Sequence, residues 1–180
     1  MVELDVDAMK EVYQNDVAIK HLFVVRHGIY GSDERLSSDG KKQMETLGKN
    51  IKEILGGGSA YIVSSTAPRA LDSSTVLSEQ LGLNGFERLE YLWSGSDAPS
   101  GSYEYDVGVQ ARDKLVKIIE EREKKADGLI LVAHLEIAED LPSHFYNKRF
   151  NQKVNIGELS KGQAVHIDLE QRTYHILPRR

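Results

Sequence analysis

The triplet Arg26-His27-Gly28 stands where an apolar run of the sequence ends. That run, Leu22-Phe23-Val24-Val25, has the β-branched and aromatic residues of a short buried strand and contains no proline. Open α/β sheets bind their ligands beyond the carboxyl ends of their strands. A guanidinium beside an imidazole at such an end therefore predicts chemistry on an anion.

Two later segments are expected to bring side chains to the same edge of a sheet. Residues 60–64 form a second apolar run, and the segment after it leads through Pro68 to Arg69. Residues 129–133 form the most apolar run, and His134 follows directly. Because the carboxyl ends of parallel strands share one edge, Arg69 and His134 are predicted to converge on the triplet.

The elements that position these residues alternate between strands and helices. Strands are predicted over 21–27, 60–64, 86–92, 129–133, 164–169 and 173–177. The first helix, of about fifteen residues, is predicted to be capped by Ser37 or Ser38 and to end at Gly56. Further helices are predicted over 68–81, ending at Gly82, and over 107–125 and 137–146. This alternation predicts one domain over 1–180, a three-layer α/β/α sandwich with a mostly parallel sheet. Residues 1–20 are interpreted as a helical extension packed on that domain.

Composition excludes several classes of function. The chain has no cysteine, which excludes disulfides and thiolate chemistry and favours a reducing cytoplasm. A net charge of −5 offers no general attraction for nucleic acid. No apolar run approaches the length of a membrane span, and the acidic start, Met1 to Asp7, is unlike a secretory signal. A cytoplasmic protein that binds neither nucleic acid nor membrane is expected.

Four segments, taken in order, resemble the histidine phosphatase superfamily, also called phosphoglycerate-mutase-like. They are Leu22 to Gly28, Leu36 to Gly40 with Gln43, Ser64 to Ala70, and Leu131 to His134. The match extends over about residues 21–146, and the chain looks closest to the short bacterial phosphohistidine phosphatases. Arg-His-Gly alone is a weak motif, but the ordered set is specific.

The resemblance implies a two-step phosphoryl transfer through a phosphohistidine on His27. Arg26 and Arg69 would hold the phosphoryl oxygens through two-point hydrogen bonds, and His134 would lie beside them. Arg35 matches a further phosphate-binding position, although a solvated loop charge explains it equally well. These cations supply the positive field, so no metal or cofactor is implied.

The remaining histidines are not assigned a function by the sequence. His21, His144, His166 and His175 show no repeated metal-ligand spacing, so no metal site is expected. Ser65 and Thr66 are interpreted as helix-capping residues or as hydroxyl donors to a phosphate.

A general acid for the leaving group is not defined by the sequence. Glu90 and Asp97 are the candidates in the region after the third predicted strand. If neither acts, substrates with basic leaving groups, such as phosphohistidine, are favoured. The expected partner is a phosphorylated small molecule or a phosphohistidine protein. A phosphoglycerate-type mutase and a catalytically weak phospho-ligand binding module stay open as alternatives.

Overall fold

A computed structural model describes residues 18–178 of the chain. Its elements are β1 (His21–Arg26), α1 (Ser38–Leu55), β2 (Ala60–Ser64), α2 (Pro68–Leu81), β3 (Glu87–Arg88), α3 (Gly108–Glu120), β4 (Gly128–Ala133), α4 (Leu135–Phe150), β5 (Ala164–Asp168) and β6 (Thr173–Leu177). Residues 1–17 of the predicted N-terminal helix lie outside the described residues. Residues 18–20 are described and are not helical.

The six strands of this part of the chain form one sheet in the order β3-β2-β4-β1-β5-β6. Neighbours from β3 to β1 pair in parallel, whereas β5 and β6 form an antiparallel hairpin against β1. β4 lies between β2 and β1 and is buried along its whole length. This mixed, mostly parallel sheet confirms the predicted fold class.

The sheet separates two apolar cores. Side chains such as Phe23 and Val25 pack with α1 and α2 on one face, and their neighbours Leu22 and Val24 pack with α3 and α4 on the other. The alternation follows from the two-residue period of a strand. Each helix therefore covers the sheet with its apolar stripe, which gives the three predicted layers.

Helices α1 and α2 have the ends that the sequence predicts. Ser37 caps α1 by accepting a hydrogen bond from Gly40 N, and Gly56 and Gly82 end the two helices in left-handed conformations. Positive φ is inexpensive for glycine, so these residues stop a helix where an Ala would be strained.

Three predicted elements differ from the structure. The third strand is two residues long, because Tyr91 and Leu92 turn into the core within a 3₁₀ turn instead of alternating along a strand. Helix α3 ends at Glu120, before the charged run that the prediction included. Helix α4 runs from Leu135 to Phe150, so it begins directly after His134 and extends beyond both ends of the predicted helix 137–146.

A helix that spans a membrane must be long and apolar, and the described helices do not meet both requirements. None of those within residues 18–178 is both long enough and apolar enough to cross a bilayer.

Candidate active site

The pairing of β1 with β4 places His27 and His134 side by side at one edge of the sheet. Their ring centroids lie 5.0 Å apart, with an angle of 65° between the ring planes. His27 N continues the ladder beyond the strand by donating to Ala133 O at 3.1 Å. Both side chains are nearly fully buried. Two imidazoles that are distant in the sequence thus form one compact pair.

The protonation of His27 follows from its backbone contact. Its Nδ1 lies 2.9 Å from Gly28 O. A carbonyl oxygen only accepts, so Nδ1 carries the proton and Nε2 presents a lone pair. Burial lowers the pKa of His27 to about 4, with Arg69 among the charges that add to this, despite the opposing bond to Gly28. The ring is therefore neutral at pH 7 and has a free nucleophilic nitrogen.

His134 is held in place by a hydroxyl and an indole. Its Nε2 lies 2.8 Å from Ser65 Oγ, and the Trp93 ring stacks on it with a centroid distance of 6.3 Å. Burial, followed by the charges of His27 and Arg69, lowers the pKa of His134 to about 2. Ser65 therefore orients His134, and does not cap α2 as one interpretation expected.

Arg26 and Arg69 flank this pair with unused hydrogen-bonding capacity. Arg26 Nη1 donates to Leu159 O at 2.7 Å, while both Nη atoms of Arg69 contact Asp97 and one of them contacts Glu34. Within residues 18–178, the Nε atoms of both arginines and the hydroxyl of Thr66 are buried without a hydrogen-bond partner. Buried donors without partners are rare, and an oxyanion would satisfy them.

Two helices begin at this edge of the sheet. Ala67 and His134 stand at the N-cap positions of α2 and α4, and neither makes a side-chain cap hydrogen bond. The first N–H groups of α4 therefore lack the usual hydroxyl or carboxylate acceptor. In α2 this holds only for Arg69, because Pro68 has no N–H and Ala70 N donates to Ala67 O. Helix N-termini carry partial positive charge and favour anions, which adds to the field of the two arginines.

Close backbone packing fixes the loop that follows His27. A Cβ on Gly40 would lie 2.0 Å from Ile29 O, and a Cβ on Gly28 would lie 2.9 Å from Gly40 O. Gly28 N also donates to Ser73 Oγ, at 3.1 Å. The first turn of α1 and the side chain of Ser73 thus hold the loop, and with it the carbonyl that orients His27.

The three remaining predicted site residues are not part of the pair formed by His27 and His134; they are Arg35, Glu90 and Asp97. Arg35 is mostly exposed and makes hydrogen bonds of 2.8 and 2.6 Å to Asp72. Glu90 is exposed at the start of a 3₁₀ turn. The Arg69 guanidinium lowers the pKa of Asp97 to about 2, so Asp97 is ionised and not prepared to donate a proton.

The structure adds residues that the sequence analysis did not select. Tyr30 contacts the His27 ring edge-on at 5.2 Å, and Lys161 Nζ lies 4.4 Å from the centre of the Tyr30 ring. Gly162, next to this lysine, donates its N–H to both Arg26 O and His27 O. Tyr30, Trp93 and Lys161 come from loops whose course no periodic pattern reveals.

Comparisons with known proteins bear on the fold. No protein-family model and no curated protein sequence matches the chain. Solved structures do match it, each over most of both chains.

One match is a Nakamurella multipartitia protein described as a SixA phosphohistidine phosphatase, with TM-score 0.60, 15% identity, and 87% and 92% of the two chains covered. Another is a mycobacterial glucosyl-3-phosphoglycerate phosphatase in complex with VO₃, with TM-score 0.57, 18% identity, and coverage of 89% and 99%. A third is a phosphoserine phosphatase mutant from Entamoeba histolytica in complex with phosphoserine, with TM-score 0.53, 14% identity, and coverage of 87% and 94%.

These matches show that the chain has the fold of the histidine phosphatase superfamily, as the ordered motifs predict. At such identities the likeness extends to the fold alone. The chemistry of this chain must therefore be argued from its own residues at the sheet edge.

Proposed function

We propose that this chain is a phosphatase of the histidine phosphatase type, which acts through a covalent phosphohistidine on His27. The observation that carries the proposal is the hydrogen bond from His27 Nδ1–H to Gly28 O at 2.9 Å. It leaves the lone pair of Nε2 available beside two arginines that retain unpaired donors. A surface histidine has no need of such an arrangement, whereas a nucleophile has.

In the first step, the Nε2 lone pair attacks phosphorus and the bond from phosphorus to the leaving group breaks. The electron pair of that bond stays with the leaving group, which takes up a proton. Arg26 and Arg69 bind the oxygens as their charge increases in the transition state. The positive charge formed on the His27 ring is stabilised by the Gly28 carbonyl, which accepts from Nδ1–H.

In the second step, water attacks the phosphorus of phosphohistidine and the P–N bond breaks. The bonding electrons return to Nε2, which restores the neutral imidazole and releases inorganic phosphate. The excess proton from the water passes to phosphate or to solvent. In this proposal His134 hydrogen-bonds a phosphoryl oxygen throughout, and the 5.0 Å separation of its ring from that of His27 supports this role. The cations at the site supply the positive field, so the proposed reaction needs no metal.

We further propose that the substrate is a phosphoramidate, such as a phosphohistidine side chain of a protein. Asp97 is ionised in its contact with Arg69, and Glu90 is exposed to solvent. Neither carboxyl group is prepared to protonate a leaving oxygen. A leaving nitrogen is basic enough to take its proton from water, so this class of substrate needs no general acid.

The test compares wild-type protein with His27→Ala on an activated aryl phosphate and on a phosphohistidine protein, in the presence of a chelator. His144→Ala is the matched control, because His144 pairs with Asp113 on the surface of α3. We expect turnover to fall at least 10³-fold in His27→Ala and to stay unchanged in the control. An acid-labile phosphoryl adduct should form on the wild type alone. Wild-type turnover by His27→Ala would overturn the proposal.

A phospho-ligand binding module is the second candidate, and one observation favours it. Two carboxylates, Glu34 and Asp97, already occupy the Arg69 guanidinium. If they stay close to the guanidinium when a phosphorylated ligand binds, they oppose the increase in negative charge in the transition state, so the ligand is bound without turnover. Binding of inorganic phosphate that depends on Arg69, with no turnover of either substrate, would establish this alternative.

A further inference from the structure

We propose that His21, His166 and Asp168 form a binding site for a divalent transition-metal ion of the Zn²⁺ class, at the edge of the sheet opposite to His27. The three side chains offer one ligand atom each, and these atoms lie within 4.8 Å of one another. Zn²⁺ binds imidazole nitrogens and carboxylate oxygens in sites of this composition. The proposed site is independent of the phosphatase function.

Strand pairing places the three residues on one face of the sheet. In the antiparallel register of β1 with β5, His21 stands opposite Asp168, and Phe23 stands opposite His166. Residues two positions apart on a strand point to the same side, so His166 and Asp168 share the face of His21. The site is therefore built by regular strands, which are more rigid than loops.

The distance between the two facing imidazole nitrogens is close to the distance expected when both bind one metal ion. His21 Nδ1 and His166 Nε2 lie 3.1 Å apart. With Zn–N bonds of about 2.0–2.1 Å, two nitrogens of a tetrahedral site are about 3.3–3.4 Å apart, so a shift of a few tenths of an ångström suffices. The proton shared between the nitrogens would move to the other nitrogen of the same ring. The metal would then take its place without a change in net protonation.

The ring of His166 is held in the orientation that the site needs. It is 4% exposed and stacks on Phe23, with centroids 4.7 Å apart and ring planes 16° apart. His21 and Asp168 are half-buried, which leaves an approach for an ion. Asp168 Oδ1 accepts from two backbone N–H groups of the following turn, which positions the carboxylate. The next imidazole, His175, has its centroid 6.4 Å from that of His166 and is not counted as a ligand.

A bound ion would connect the first strand of the sheet to the C-terminal hairpin. β5 and β6 join the sheet through β1, so a link between His21 and Asp168 stabilises their attachment. An ion that binds the folded chain and not the unfolded one raises the melting temperature. The expected role of the site is therefore structural.

The experiment is titration of the full chain with Zn²⁺ by calorimetry and with Co²⁺ by visible absorption. Because the pair His27 and His134 could also take up an ion, the informative quantity is the change in stoichiometry. We expect His21→Gln and Asp168→Asn each to bind one equivalent of metal fewer than the wild type. His144→Gln should bind as many equivalents as the wild type. The increase in melting temperature with Zn²⁺ should be reduced in the same two variants.

Two outcomes would overturn the proposal. One is that the wild type binds neither ion more tightly than about 100 µM, a concentration at which adventitious surface binding is common. The other is that His21→Gln and Asp168→Asn, shown by circular dichroism to be folded, bind as many equivalents as the wild type. In either case the contact of His21 with His166 is an ordinary hydrogen bond between side chains.

Discussion

Asp97 holds the Arg69 guanidinium through two parallel hydrogen bonds, 2.7 Å from Nη1 to Oδ2 and 3.0 Å from Nη2 to Oδ1. This is the geometry in which an arginine binds two oxygens of a phosphoryl group. The Arg69 side chain is 5% exposed, whereas that of Asp97 is 40% exposed. The carboxylate therefore lies on the solvent side of the guanidinium, in the path of an incoming anion.

The first prediction is that Asp97→Asn binds phosphate more tightly. The amide loses the charge that competes for Arg69. The inhibition constant of inorganic phosphate should therefore fall by about fivefold, because an ion pair with one solvent-exposed partner contributes about 1 kcal/mol. Steady-state inhibition measures the effect. Asp33→Asn is the control, since Asp33 lies in the loop of Glu34 and accepts from Arg35 N. A loss of kcat on unactivated phosphate esters, with unchanged affinity for phosphate, would instead identify Asp97 as the general acid.

The second prediction is that Arg69→Lys is a poor substitution. Lysine keeps the charge but lacks the planar pair of donors, so kcat/KM should fall by about 10²-fold. Arg35→Lys is a matched control, because Arg35 makes a similar two-point contact with Asp72 on the surface. We expect the control to change kcat/KM less than about threefold. An equal loss in both variants would show that Arg35 also binds the phosphoryl group.

The third prediction concerns stability in acid. The pKa of His27 is about 4 in the folded chain, against an ordinary value of 6.5, and that of His134 is about 2. The unfolded chain therefore binds more protons at pH values below about 6.5. Above that pH, burial of the two neutral histidines does not reduce the free energy of unfolding. This free energy falls as the pH is lowered, and the fall that is due to His27 is complete near pH 4. At pH 5 each buried histidine accounts for a loss of about 2 kcal/mol.

Urea unfolding at pH 7.5 and pH 5.0 measures this difference. His27→Asn should be less sensitive to acid than the wild type by about 2 kcal/mol. If His27→Asn showed the wild-type dependence on pH, the imidazole of His27 would not be buried in its neutral form.

The fourth prediction concerns the packing of α1 on the loop after His27. In Gly40→Ala the new methyl group would lie 2.0 Å from Ile29 O, so backbone must move. We expect a loss of about 1–3 kcal/mol in the free energy of unfolding, and more than a tenfold loss in kcat/KM as the Gly28 carbonyl shifts. In the control Gly31→Ala, the nearest atom is the end of the Asp33 side chain at 3.1 Å. Thermal melting and kinetics measured on both variants test this, and wild-type values for Gly40→Ala would contradict it.

Much of the fold is predictable because local rules and tertiary packing agree along most of the chain. The strand at Ala60–Ser64 and the helix at Pro68–Leu81 have the predicted bounds. Predictions fail where tertiary contacts override local preference. Tyr91 is buried in a 3₁₀ turn and hydrogen-bonds Asp106, and these contacts replace the expected strand. By contrast, the helix predicted across Pro142 does form, because packing of this buried residue against the sheet outweighs the proline's effect on the helix.

The site is predictable to the extent that strand ends supply it. The rule that parallel strands share a carboxyl edge is sufficient to bring His27 and His134 together. It does not predict the contact of Glu34 with Arg69, because Glu34 lies in a loop and has a φ of 63° that few residues adopt. The stacking of Trp93 on His134 likewise depends on a loop after a 3₁₀ turn.

The position of β1 within the sheet has a consequence for biosynthesis. β1 leaves the ribosome before any other described strand, yet its two hydrogen-bonding neighbours begin only at Gly128 and Ala164. His27 is therefore translated before both of the strands that pair with β1. Nascent chains that stop before β4 cannot place His134 beside it. Turnover by the proposed mechanism therefore requires that translation has passed the end of β4.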